Sequence, residues 1–203
     1  MKYKNIDIAF IGNREIKNKA DKCRFEFWKK DIPIEIEEII EIKLKIKIIP
    51  IPNLMEQCGV DAQITSDFSA IYVDQKNYEN DTNRFRFSLA HELGHFILHK
   101  DFYKHLKIQE LADIFAFIGE IDTREYANLE TQANKFANYF LIPRETLIKI
   151  KVEVLQEINK KHNIENIDEK TVNSYLAGYI SLRFGVSSGA LEIALNDLNN
   201  FQN

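Results

Sequence analysis

His91 and His95 stand four residues apart, with Glu92 directly after the first, in the pattern H-E-x-x-H. They lie inside a stretch, Phe85 to His99, whose apolar residues recur every three or four positions. On a helix, positions four apart share a face, about one turn along the axis. Two imidazoles so placed can converge on one metal ion. Glu92 falls on the flank, where it can take a proton from a water that the metal activates. The alternative is a helix with two buried, hydrogen-bonded histidines, but packing alone gives little reason for a pair of them in the middle of an apolar segment.

A catalytic zinc needs a third protein ligand and an open fourth position. His99 extends the same stripe but stands eight residues from His91, about 12 Å along a helix axis. Nitrogens that each sit about 2.0–2.1 Å from one ion cannot be that far apart. His99 is therefore expected to pack at the helix end or meet its last carbonyls. Asp101 stands where a metzincin would have histidine, but Leu98 replaces the glycine that turns the chain there. His105 depends on a loop geometry that the sequence does not give. The better candidate is Glu130. The segment Glu130 to Pro143 places Glu130, Ala133, Asn134, Ala137 and Leu141 on one helical face. Its two alanines let another helix approach, and Asn134, one turn on, can hydrogen-bond a ligating ring and fix its orientation. The other reading is an amphipathic helix with a solvated Glu130.

Taken together, the two segments resemble the ImmA/IrrE family of metallo-endopeptidases. That family combines an H-E-x-x-H helix, often followed by a Leu-His pair as at Leu98-His99, with a downstream helix that opens on E-x-x-A-N-x-F-A and closes on a proline. The resemblance covers roughly residues 69–145 and includes the stretch Ser69 to Asp74. It implies metal ligands at His91, His95 and Glu130, and a catalytic acid/base at Glu92. It implies an α+β, zincin-like fold of gluzincin type, with a small N-terminal sheet, an active-site helix, a second ligand-bearing helix and a helical C-terminal part. Residues 1–145 would form the peptidase core and 146–203 a helical extension. The implied substrate is a bacterial helix-turn-helix transcriptional repressor, often encoded nearby. Ile142 stands where methionine is commoner. No DNA-binding module is expected before the core and no sensor domain after it.

Composition narrows the classes. The chain has 203 residues, 45% hydrophobic and 29% charged, as expected for one soluble globular domain of ordinary size. Its net charge of −4 disfavours a general nucleic-acid surface, which requires a basic footprint. Cys23 and Cys58 lack zinc-ligand spacing and read as small buried hydrophobes. Met1 to Asp7 gives no signal peptide, and no apolar run approaches the ~20 residues that span a bilayer. The expected location is the cytoplasm.

The remaining pattern predicts the supporting elements. Ile6 to Ile11 reads as a short strand or a lead-in. A helix follows from Asn13 to about Lys30, then a break at Asp31 to Ile34 and a short helix over Ile36 to Ile42. Leu44 to Ile51 alternates as a strand. Asn53 to Gly59 makes a helical turn ended by glycine. Ala62 to Ser66 and Ala70 to Asp74 form a hairpin. The H-E-x-x-H helix runs from Asp81 or Thr82 to His99. A stretch too long for plain coil, holding a short helix after Gln109, leads to the Glu130 helix from about Thr123. Helices over Arg144 to His162, Asp168 to Phe184 and Ser187 to Asn200 complete the chain. The last two have a helix-turn-helix look, but Ser187 to Asp197 carries no basic residue for a phosphate, so packing explains them better.

The chemistry expected is zinc-dependent hydrolysis of a peptide bond, with manganese able to substitute where availability favours it. Glu92 takes a proton from water and delivers it to the leaving amine. Tyr72, Tyr126, Tyr139, Tyr175 and His162 are unranked candidates for stabilising the oxyanion. An edge strand at Ile71 to Val73, with Tyr72 and Val73 as contacts, would accept an extended substrate; ordinary core packing of that strand is the alternative. A metal-binding module that holds a repressor without cutting it, and a small-molecule hydrolase, are the competing functions.

Overall fold

The computed structural model describes residues 7–29, 31–160 and 168–198. They divide into two compact units, one of residues 7–29 with 35–140 and one of residues 31–34 with 141–160 and 168–198. The architecture is α+β: ten α-helices and a π-helical segment among the described residues, with one three-stranded sheet.

The first unit opens with residues 7–12, which have no regular secondary structure where a strand was one expectation; Ile6 lies outside the described residues. α1 (Asn13–Phe27) buries Ile16, Ala20 and Cys23, positions separated by four and three. Burial, with the nearby Glu26 charge adding to it, pushes the Cys23 thiol up to about 12, so it packs as a neutral side chain. The predicted short helix winds wider than an α-helix. Glu38–Lys43 is π-helical, with Leu44 N–H donating to Ile39 C=O at 2.9 Å. Ile39 and Ile40 are its buried side, and Ile36, two residues before it, is buried as well.

Strand β1 (Lys47–Ile51) lies parallel to β3 (Ala70–Asp74), and β2 (Ala62–Ile64) pairs with β3 on its other side, antiparallel. β1 is an edge strand, which accommodates Pro50. Between β1 and β2 sits α2 (Leu54–Cys58), ended by Gly59 at φ 72°, a left-handed conformation that glycine adopts without strain. The β2–β3 turn is tied by Thr65, whose N–H and hydroxyl both reach Ala70 C=O, and by Asp67, which accepts from Ser69 N–H. Phe68 packs against Phe96 and Tyr103.

The sheet order β1-β3-β2 corrects one expectation. Ile71 to Val73 is the central strand and has no free edge to offer a peptide. Val73 is buried, and the Tyr72 hydroxyl is engaged on Gln109 C=O at 2.7 Å. The two-residue alternation of the hairpin predicts pairing with β2 but carries no sign of β1, whose parallel pairing is made through a crossover.

After α3 (Gln75–Asn80), Asp81 caps α4 (Thr82–Leu98) by accepting from Arg84 N–H. A short α5 (Lys100–Tyr103) and α6 (Leu111–Glu120) lead into α7 (Thr123–Leu141). α4 and α7 meet at Gly94. A Cβ there would lie 3.2 Å from Ala133 Cα and O and 3.3 Å from Phe136 Cβ, closer than side chains normally sit.

The second unit carries α8 (Arg144–Asn159), α9 (Glu169–Phe184) and α10 (Ser188–Asp197). Gly185, at φ 62°, ends α9, and Ser187 caps α10. Leu176, Ile180, Phe184, Leu191 and Leu195 are buried, as the packing reading of this helix pair expects. No helix among the described residues is long and apolar enough to cross a membrane.

Candidate metal centre and cleft

α4 carries His91, Glu92 and His95, and α7 brings Glu130 and Asn134 against them. His91 Nε2 and His95 Nε2 lie 2.9 Å apart. The Glu130 carboxylate reaches both, at 3.2 Å from His91 and 3.5 Å from His95. Donor atoms of His91, Glu92 and His95 also fall within 4.8 Å of one another. Glu92 is nevertheless the more distant carboxylate, at 4.0 Å from His91 Nε2. Its other oxygen accepts the backbone N–H of Ile64 at 2.7 Å.

The outer ring nitrogens are engaged as well. His91 Nδ1 lies 2.9 Å from Asn134 Oδ1, an atom that can only accept, so that nitrogen is protonated. His95 Nδ1 lies 3.1 Å from His99 Nδ1. His99 stays outside the converging set, as its eight-residue spacing from His91 requires. It is buried beside Gln132, and burial, with the charge of His95 adding to it, pulls its pKa down to about 3. Asp101 pairs with Lys104, and neither Asp101 nor His105 lines the cleft.

The chemistry of this donor set fits a divalent cation. Two inward nitrogens and a carboxylate converge, and without a cation a proton must relieve their repulsion. Burial alone would lower the His91 pKa, but the hydrogen bond to Glu130 and the charges of Glu92 and Glu130 outweigh it and raise it to about 9. Burial alone would raise Glu130, yet hydrogen bonds from His91 and His95 hold it well below the ordinary carboxylate range. Glu92 is pushed up by burial, with the two histidines opposing.

These groups line a cleft of about 220 Å³, together with Gly59 to Gln63, Phe87, Ser88 and Tyr126. Of the tyrosines considered for the oxyanion, Tyr126 alone lines it. Burial and the two glutamates raise its pKa, so it stays a protonated donor. Tyr72 is engaged elsewhere, Tyr139 is buried outside the cleft, Tyr175 is exposed on α9, and His162 lies outside the described residues.

Sequence reasoning allowed either short strand before the helix to pair with a substrate but named only residues of β3, and β2 is the strand beside Glu92. Asp61 and Thr65 bond across to β3, through Asp74 N–H to Asp61 C=O and Thr65 N–H to Ala70 C=O. Alternation along the strand turns the N–H and C=O of Ala62 and Ile64 the other way, toward the free edge. Ile64 spends its N–H on Glu92, and Ala62 lines the cleft. No residue type marks this edge in the sequence; only the strand order does.

Residues 71–196 match a family of peptidases described as the IrrE N-terminal-like domain. The chain belongs to that family. That family is one of peptidases, and the match covers a metallopeptidase-like domain. Among solved structures, a Mycobacterium tuberculosis transcriptional regulator is similar, with a TM-score of 0.54 and 17% sequence identity. The likeness covers 90% of this chain and 46% of that one, so the chain spans about half the length of the regulator and shares its fold. A comparison with curated proteins gives no match.

Proposed function

We propose that the chain is a zinc-dependent endopeptidase of gluzincin type that cuts one peptide bond in a specific protein target, a helix-turn-helix transcriptional repressor in the cytoplasm. The observation that carries this reading is the convergence of His91, His95 and Glu130, with Glu92 beside them but turned to Ile64. A divalent cation held by those three side chains would supply Lewis acidity, lowering the pKa of water and polarising a carbonyl.

The chain's own residues do the rest. Glu92 takes a proton from the attacking water and passes it to the leaving nitrogen. Burial raises its pKa, which suits a group that must both accept and return a proton near neutrality. Ala62 offers an N–H and a C=O to an extended segment, adding it to the sheet beside Glu92. Tyr126 is the phenol available to stabilise negative charge on the scissile oxygen. Asn134 fixes the His91 ring. The choice of a repressor as substrate rests on the family and on the regulator that shares the fold.

The test is incubation of the purified protein and zinc with a helix-turn-helix repressor encoded beside it, with fragments read by mass spectrometry. One cut in the repressor and near-inertness toward casein are expected. A stable complex without fragments would instead identify a binding module.

A further inference from the structure

Ser88, His91, Glu92 and His95 follow one another on α4 at steps of three and four, and all four line the cleft. The last three belong to the candidate metal site; Ser88 does not. It is only 9% exposed and lies one helical turn before His91 and Glu92. A helical serine can return its hydroxyl to the C=O four residues back. Ser88 does not do so, and its Oγ takes no hydrogen bond from or to any described residue. Nor is that oxygen sealed from solvent. The opening it has is the cleft.

Two contacts place Ser88 against the free edge of β2. Glu92 holds Ile64 N–H at 2.7 Å, and Arg84, two turns back on α4, pairs with Asp61 at 2.9 Å. Ser88 lies midway between Arg84 and Glu92, as Ala62 and Gln63 lie between Asp61 and Ile64. Resting on the peptidase reading above, we propose that Ser88 is a specificity-determining residue, whose hydroxyl binds a neutral amide or hydroxyl side chain on the substrate residue that pairs with Ala62. The charges around it select against ions. No lysine or arginine lines the cleft, so an acidic side chain meets only carboxylates there. A basic one finds each of them engaged: Asp61 with Arg84 and Asn77, Glu92 with Ile64, Glu130 with the two histidines.

Ser88→Ala removes one oxygen and is expected to leave the unfolding midpoint unchanged or slightly raised, since nothing in the protein bonds that oxygen. A clear loss of stability would assign the hydroxyl to the fold and overturn the proposal. Zinc-loaded wild type and Ser88→Ala are then titrated by calorimetry with peptide hydroxamates that carry Asn or Leu next to the zinc-binding group, before it or after it. Wild type is expected to bind the Asn probe about tenfold more tightly than the Leu probe in one of the two positions, and Ser88→Ala to bind them alike. No preference in wild type, or the same preference in Ser88→Ala, overturns the proposal. Zinc content, read beforehand by atomic absorption, separates the two readings. If wild type takes up no zinc, the zinc reading fails, and the pocket is decided on metal-free protein by backbone amide NMR with acetyl-Ala-Asn-Ala-amide and its Leu counterpart. A shift at Ser88 with the Asn peptide alone supports the pocket; no shift there, or equal shifts with both peptides, overturns it.

Discussion

Glu92 Oε2 accepts the backbone N–H of Ile64 at 2.7 Å, so the proposed base rests on the edge of β2 that faces the cleft. A glutamine at position 92 can accept the same N–H while losing the ability to take a proton. Glu92→Gln is therefore expected to fold and to bind zinc as wild type does, and to cleave about 10²–10⁴-fold more slowly. Cleavage rates at matched zinc content measure this. Undiminished turnover would assign the base to another residue.

The spacing of His91, Glu92 and His95 and the face shared by Glu130, Ala133 and Asn134 were legible because helical periodicity is local. The same periodicity predicts the helix pair after Asp168, and Gly59 and Gly185 mark helix ends at left-handed φ. What stayed hidden depends on contacts far apart in sequence. The parallel pairing of β1 with β3 turns an expected edge strand at Tyr72 and Val73 into the central strand and moves the free edge to Ala62. The partner of His99 is Gln132, 33 positions away, and nothing in the spacing of either points to the other.

Gly94 tests the close approach of the two ligand-bearing helices. In an unconstrained helix, Gly→Ala adds about 1 kcal/mol of stability. Here the new Cβ would press on the Ala133 backbone at 3.2 Å, so Gly94→Ala is expected to destabilise by about 1–3 kcal/mol and to weaken zinc binding. Urea unfolding gives the sign; a stabilised variant would show that α7 yields freely.

Ala62 tests the β2 edge. Its N–H points away from β3, so Ala62→Pro removes no ladder bond, and the first position of a strand tolerates proline. The variant is expected to fold and to raise KM several-fold on a protein substrate. An unchanged KM would remove Ala62 from substrate binding.

The His91 proton sets a pH dependence. Its pKa of about 9 lies above the free value of 6.5, so the stability it lends the metal-free protein through Glu130 is fully present below 6.5 and lost as pH rises through about 9. Glu130, held low, loses its share as pH falls below the ordinary carboxylate value. A cation must displace the His91 proton, so zinc uptake at pH 7 is expected to release about one proton. Calorimetry in two buffers of different ionisation heat measures it; no proton release would contradict the assignment.

One arrangement is central to the proposed chemistry: a single zinc bound by two α4 histidines and one α7 glutamate, with Glu92 outside the ligand set. Anomalous diffraction from zinc-loaded crystals tests it most directly. The predicted result is one peak, about 2.0–2.2 Å from His91 Nε2, His95 Nε2 and the Glu130 carboxylate, with Glu92 beyond bonding distance. A peak ligated by Glu92 with Glu130 turned away, or no peak in a folded protein at saturating zinc, would contradict it.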